Sequence, residues 1–254
     1  MRQMQFDRLP VEVHPTNAAL GRAAGEAAAK ILRAAIAKRG LANLIVATGN
    51  SQLSFYEALR EQGGIDWQKV TMFHMDEYVG MSPDHPSSFR RYLREKIVSF
   101  VHPSAFHGVM GDAPDTQQEC ERYAGLLHAR PADLCCLGIG ENGHLAFNDP
   151  PFARFDDPVW AKIVKLDEAS RRQQVGEGHF ATLDEVPTHA ITLTIPALLA
   201  AWQVLAIVPE QRKAPAVRAA LTGPITTECP ASILRTSAHA RLFLDAESAS
   251  LLPT

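Results

Sequence analysis

Short apolar runs alternate with helical patterns along most of this chain. Runs typical of buried strands cover 43–48, 70–75, 133–137, 190–193, 203–208 and 240–244, and helical periodicity covers 17–38, 116–129 and 211–221. Asn17 is expected to cap the first helix and Gly40 to end it. The alternation predicts an α/β fold, a mostly parallel sheet with helices on both faces.

Composition limits the classes of protein that fit. The 254 residues are 46% hydrophobic and 21% charged, as in soluble globular proteins. No repeat or linker divides the chain, so we expect one domain over residues 1–254. A net charge of −3 gives no general attraction for nucleic acid or for an anionic membrane, so neither is expected as a partner, and any anionic ligand must be held by a few local groups.

The most apolar tract, 191–208, does not predict a membrane span. Pro196 interrupts it, and Thr192, Thr194 and Gln203 make it partly polar, so a strand, a short helix and a second strand are expected. The N-terminal segment has no apolar run of the kind found in secretion signals. The four cysteines form no CxxC pair, which suits a reducing compartment and predicts a cytoplasmic location.

Polar clusters follow three of the predicted strands: TGNSQ at 48–52, FHMDEYVG at 73–80 and CLGIGENGHLAFNDPP at 136–151. The carboxyl ends of parallel strands lie at one edge of a sheet, where ligands bind near a topological switch point. We therefore expect the three clusters to meet.

The first cluster could hold a phosphate. Thr48, Gly49, Asn50 and Ser51 offer free backbone N–H groups beside the start of a helix, which together suit an anion. The segment matches neither GxGxxG nor a Walker loop, and an ordinary strand-to-helix turn explains the same pattern.

The second cluster contains two adjacent carboxylates, Asp76 and Glu77. Neighbouring side chains on a strand point to opposite sides, so only one of the two can face a given cleft. A carboxylate with a pKa tuned by burial could move a proton at carbon, whereas the alternative is an ordinary acidic loop.

The third cluster places a single histidine, His144, after Gly138, Gly140 and Gly143 and five residues before Asp149. The glycines allow sharp turns or the close approach of a ligand. The imidazole could transfer protons near neutral pH with Asp149 orienting it, or it could be structural. A second histidine at helical spacing and a GxSxG motif are both missing, so neither a zinc site nor a serine hydrolase is indicated.

Basic side chains that could hold an anion are Arg171, Arg172 and Lys213. The two arginines lie in the polar segment SRRQQ and could simply be solvated. Lys213 begins a predicted helix, where a cation is unfavourable for the helix dipole unless an anion binds there.

Together, these segments resemble the glucosamine-6-phosphate deaminase (isomerase) family, within the wider group that contains 6-phosphogluconolactonases. The resemblance spans most of the chain and is carried by FHMDEYVGMSPDHPSSF, GIGENGHLAFNDPP, VPTHAITLTIPALL and EQRKAPAVRAAL. It implies a single Rossmann-like domain that converts D-glucosamine 6-phosphate and water into D-fructose 6-phosphate and ammonia. It also implies that no metal or organic cofactor takes part.

The resemblance assigns roles to particular residues. Asp76 matches the general base and His144 the histidine that opens the sugar ring, with Asn142 and Asp149 completing the catalytic set. Arg172 is preferred to Arg171 as the phosphate-binding arginine of the family. The implied substrate-binding residues are Thr48, Gly49, Asn50, Ser51, Glu77, Gly140, Arg172 and Lys213.

Two positions depart from the family pattern. Relatives usually carry aspartate at the position of Asn142 and commonly glutamate at that of Asp149, so one charge beside His144 is lost and the other sits on a shorter side chain. The preferred amino sugar is therefore left open. The tract 150–166 does not match the activator site of the allosteric deaminases, so regulation by N-acetylglucosamine 6-phosphate is not expected.

Three alternatives fit parts of the pattern. A 6-phosphogluconolactonase would typically show an arginine after the Asp-Glu pair and lack the AFN segment at 146–148, so Tyr78 and that segment favour the isomerase. A deaminase for another amino-sugar phosphate, such as galactosamine 6-phosphate, fits every motif equally well. A non-catalytic sugar-phosphate sensor is disfavoured by the retained acid and base residues. A homo-oligomer is compatible with the sequence.

Overall fold

The structure is a computed structural model that describes residues 1–150 and 152–253, so Pro151 of the third cluster lies outside the described residues. The strands are β1 Arg2–Phe6, β2 Leu9–His14, β3 Ala42–Val46, β4 Val70–His74, β5 Asp76–Tyr78, β6 Ala105–His107, β7 Leu134–Leu137, β8 Ala161–Lys165, β9 His189–Leu193, β10 Gln203–Val208 and β11 Ala240–Asp245. The helices are α1 Asn17–Arg39, α2 Leu53–Glu61, α3 Phe89–Leu93, α4 Ser99–Val101, α5 Thr116–Ala129, α6 Glu168–Gly176, α7 Ile195–Leu199 and α8 Ala214–Thr222.

The predicted α/β fold with a mostly parallel sheet is confirmed. Within the described residues, eight strands form the main sheet in the order β1-β2-β11-β10-β7-β3-β4-β6, and all of its pairs except β1–β2 are parallel. The chain adds β4 and β6 on one side of β3, and then β7, β10 and β11 on the other. The topological switch point therefore lies between β3 and β7.

Helices cover both faces of this sheet because successive strand residues point to opposite sides. Leu44 packs with α1 and α2 in one buried cluster, whereas Ile45 packs with α5, α7 and α8 in another. The adjacent cysteines divide in the same way, with Cys135 in the second cluster and Cys136 in the first. Both are free and fully buried, as expected of small core residues.

Two predicted helix starts need correction. The cap of α1 is Thr16, whose Oγ1 accepts a hydrogen bond from Ala19 N, so the prediction of Asn17 as cap is wrong by one residue. Gly40 ends that helix as predicted, with φ of 77°. The helix predicted from 211 begins as a 3₁₀ turn, Gln211–Lys213, and α8 follows it.

The strand predicted at 190–193 lies outside the parallel sheet. It is β9, which pairs antiparallel with β5 on one side and with β8 on the other in a second sheet. The tract 191–208 does contain a strand, a short helix and a strand, and none of the described helices is long and apolar enough to cross a membrane. The small sheet matters for the site because it fixes Asp76 opposite Thr192.

Candidate active site

An open cleft lies where β3, β4, β7 and β10 end. The residues predicted from sequence that line it are Thr48, Gly49, Ser51, Asp76, Gly140, His144 and Lys213. The three polar clusters therefore meet. Asn142 and Asp149 do not line the cleft but lie next to His144 in a hydrogen-bonded network. Asn50, Glu77 and Arg172 are not part of the cleft lining either.

The loop after β3 is held by hydrogen bonds from both sides. The side-chain amide of Gln52 is buried and donates to Ile207 O and to Ser51 Oγ, each at 3.2 Å. The hydroxyl of Tyr92 donates to Gly49 O at 2.7 Å. These bonds connect the loop to the end of β10, and they hold its backbone in a shape that an anion can approach.

Asp76 has the properties of a general base that removes a proton from carbon. Its carboxyl is buried, and Oδ1 has no hydrogen-bond partner among the described residues. Burial, and next the nearby Glu77 carboxylate, raise the pKa of Asp76 to about 8. A carboxylate this basic removes a proton from a weak carbon acid far better than one with an ordinary pKa.

Glu77 points away from the cleft, which corrects its expected role as a substrate contact. Its carboxylate accepts hydrogen bonds from Tyr78 N, Phe89 N, Arg90 N and Ser88 Oγ. The physical reason is strand geometry, since neighbours on β5 face opposite sides. Glu77 caps the start of α3 and thereby holds Ser88 and Phe89, which do line the cleft.

His144 is held by a network behind its ring. Nδ1 lies 2.9 Å from Asp149 Oδ1, and Asn142 links the two by accepting from His144 N and donating to Asp149 Oδ1. Burial alone would raise the pKa of Asp149, but hydrogen bonds from His144, Ser170 and Asn142 outweigh it and lower the pKa to about 2. The permanently ionised carboxylate favours a proton on Nδ1 and leaves Nε2 for chemistry in the cleft.

Gly140 is required because the imidazole packs directly on it. A Cβ at position 140 would lie 2.2 Å from His144 Cε1, well inside van der Waals contact. Gly143 supports the same turn with φ of 85° and no room beside Cys229 Sγ.

We expect Gly140→Ala to displace the His144 ring and to lower kcat at least tenfold, because a misplaced catalytic group loses most of its effect. Gly125→Ala in α5 is the matched control, since a Cβ there meets nothing within 4 Å. Steady-state kinetics of both variants checks this. Equal activity of the two would contradict the packing argument.

Lys213 is the basic residue that the structure brings to the cleft. Its side chain is buried, and Nζ makes no hydrogen bond or ion pair with the residues described. Burial, and next the Arg212 guanidinium, lower the pKa of the Lys213 ammonium group. A bound anion would supply the missing partner.

Neither candidate arginine reaches the cleft. Arg172 lies on the outer side of α6 and pairs with Glu168, with two thirds of its side chain exposed (67%). Arg171 donates instead to the carbonyls of Leu183 and Val186. The preference for Arg172 as a phosphate contact is therefore not supported, because spacing alone does not say which side of a polar helix faces a ligand.

A polar wall that sequence reasoning missed completes the cleft. It consists of Gln173, Gln174, Glu177 and His179. Glu177 pairs with His179 Nε2 at 3.3 Å and with Arg212 at 2.8 Å, and its pKa falls to about 2 because these bonds outweigh burial. A polar segment such as QQVGEGH resembles any solvated surface, so the sequence carries no signal for this wall.

Comparisons with known proteins agree with this arrangement. The family model for glucosamine-6-phosphate isomerases/6-phosphogluconolactonase matches residues 15–243. A relative named glucosamine-6-phosphate deaminase, from Exiguobacterium sibiricum, is 40% identical over 209 residues, which are 82% of this chain and 80% of that relative. Another of the same name, from Bacillus cytotoxicus, is 35% identical over 89% of this chain and 84% of its own length.

Solved structures extend the comparison. A monomeric glucosamine-6-phosphate deaminase is 30% identical, with a TM-score of 0.86 over 98% of this chain and 100% of its own. A 6-phosphogluconolactonase from Shewanella baltica is 20% identical and shares the fold, with a TM-score of 0.73 over 92% of this chain and 96% of its own. The chain therefore belongs to the family of glucosamine-6-phosphate isomerases and 6-phosphogluconolactonases.

Proposed function

We propose that this chain is an enzyme that converts D-glucosamine 6-phosphate and water into D-fructose 6-phosphate and ammonia. The observation that carries the proposal is a single cleft that holds both a buried, basic carboxylate, Asp76, and a histidine, His144, oriented by Asp149. Isomerisation at carbon needs such an acid/base pair and needs no nucleophile. The named relatives support the same reaction.

The cleft suits each step of this chemistry. The loop at 48–51 and Lys213 would hold the phosphate, which anchors the reacting end of the sugar. His144 Nε2 would move a proton between the ring oxygen and the anomeric hydroxyl, which opens the ring. Asp76 would then take the proton from C2 and return it at C1, while the C1 carbonyl oxygen gains a proton and the C2 amine loses one, so that the aldehyde becomes an alcohol and the amine an imine. Water hydrolyses this imine to the ketone and ammonia.

The proposal includes the organisation and location of the protein. Residues 1–254 would act as one domain, since the cleft draws on segments from Thr48 to Lys213. Because water cleaves a carbon–nitrogen bond, the reaction is a hydrolysis as well as an isomerisation. The four free, buried cysteines suit the cytoplasm, where thiols stay reduced.

Parallel assays separate this function from its alternatives. We expect ammonia release from glucosamine 6-phosphate, measured beside galactosamine 6-phosphate and 6-phosphogluconolactone with the same purified protein. Turnover of galactosamine 6-phosphate alone would keep the mechanism and change the substrate. Turnover of the lactone alone would contradict the deaminase, and binding of sugar phosphate without any turnover would indicate a sensor.

A further inference from the structure

Ser170 joins the catalytic network from a different part of the chain. It lies on α6 and is 3% exposed. Its hydroxyl donates to Asp149 Oδ1 at 2.6 Å, and the oxygen lies 3.3 Å from His144 Nδ1. A serine in the polar segment SRRQQ would ordinarily be exposed, so the burial of Ser170 needs a physical explanation.

The hydrogen bonds around Asp149 explain why Ser170 is buried there. Oδ1 accepts from Asn142, His144 and Ser170, whereas Oδ2 is buried with no partner among the described residues. One oxygen therefore carries all the contacts that orient the carboxylate. Without Ser170, Oδ1 would keep only Asn142 and His144 as donors, and the broad torsion about the Cβ–Cγ bond would let the carboxylate twist out of line with Nδ1.

Ser170 and Asn142 donate to the same oxygen of Asp149. An amide at position 142 gives Asp149 one hydrogen bond but brings no charge to the His144 side of the network. The serine adds a second neutral donor to the same oxygen, and a charged acceptor makes this a strong hydrogen bond. The same helix carries Gln173 and Gln174 into the cleft, so α6 supplies both a support of the His144 network and part of one wall of the site.

We propose that Ser170 is a positioning residue for proton transfer by His144, acting through Asp149. The inference rests on the proposed function for its kinetic part. It is independent of that function for its structural part, which concerns the hydrogen bond between His144 Nδ1 and Asp149.

Kinetics of Ser170→Ala, Ser170→Thr and Glu168→Gln tests the proposal. We expect Ser170→Ala to lower kcat about tenfold with KM changed less than twofold, because a hydrogen bond to a charged group is lost behind the reacting atoms. Ser170→Thr keeps the hydroxyl and should recover most of kcat. Glu168→Gln changes an exposed residue of the same helix and should leave kcat unchanged.

A spectroscopic measurement keeps the test independent of turnover. In ¹⁵N-labelled protein without substrate, the Nδ1 proton of His144 should resonate downfield and should shift in Ser170→Ala but not in Glu168→Gln. An unchanged resonance would overturn the proposal, even if the wild type proved to act on another substrate. A wild-type kcat in Ser170→Ala, a change in KM alone, or an equal loss in Glu168→Gln would overturn it as well.

Discussion

Replacing Asp76 by asparagine is expected to lower kcat for glucosamine 6-phosphate about a thousandfold and, at the same time, to stabilise the folded protein. The activity falls because an amide does not accept the C2 proton. The stability rises because the wild-type carboxylate is buried in the small sheet, with Oδ1 unpaired among the described residues. Few other substitutions in the cleft should separate activity and stability so widely.

The gain in stability has a defined dependence on pH. The pKa of Asp76 rises from 3.8 to about 8, first because of burial and then because of Glu77. Between these values the folded protein keeps a proton that the unfolded chain has released. The free energy of unfolding of the wild type therefore falls by about 1.4 kcal/mol per pH unit through this window and levels off above about pH 8.

Asparagine does not titrate, so the advantage of Asp76→Asn should grow from pH 5 to pH 8 and approach about 5 kcal/mol. Urea denaturation of both proteins at the two pH values measures it. Glu77→Gln is the matched control, because the neighbouring carboxylate is satisfied by donors from α3 and by Arg90. That variant should be destabilised, because an amide replaces a buried carboxylate that accepts hydrogen bonds from Ser88, Phe89 and Arg90, although Arg90 keeps its ion pair with Asp112. A destabilised Asp76→Asn, or one with more than a tenth of wild-type activity, would contradict this account.

Asp149→Asn is expected to lower kcat about a thousandfold while KM changes little. The carboxylate accepts from His144 Nδ1 and so keeps the proton on that nitrogen. An amide can turn its NH₂ group toward Nδ1, which would favour the other tautomer and block Nε2 from accepting a proton. Steady-state kinetics measures the effect.

Asp149→Glu is the control for this second change, since it restores the charge on the longer side chain that relatives commonly carry. It should keep clearly more activity than Asp149→Asn. Equal activity of the two variants would mean that the charge does not matter, and the proposed role of the network behind His144 would then be wrong.

The residues that could be predicted from sequence share one property. Thr48, Asp76, Gly140 and His144 all follow strands, and Lys213 follows β10. An apolar run that stops at a polar cluster marks the end of a buried strand, and parallel strands bring such ends to one edge. Local pattern and topology therefore lead to the same cleft.

The remainder depends on contacts that a local pattern does not encode. Ser170, Glu177 and His179 belong to a polar segment whose inward side is decided by partners far away in the chain, such as Asp149 and Arg212. An antiparallel β9 has the same apolar run as a strand of the main sheet. The sequence also does not predict which arginine of SRRQQ faces the cleft. In the structure neither of them does.

The most direct measurement is a crystal structure of Asp76→Asn with glucosamine 6-phosphate bound, because this variant should be both inactive and stable. We expect the phosphate on the loop at 48–51 and on Lys213, C2 of the sugar beside residue 76, and the ring oxygen or the C1 hydroxyl within hydrogen-bond reach of His144 Nε2. A sugar phosphate bound outside the cleft, or one with C1 and C2 remote from both residues, would contradict it.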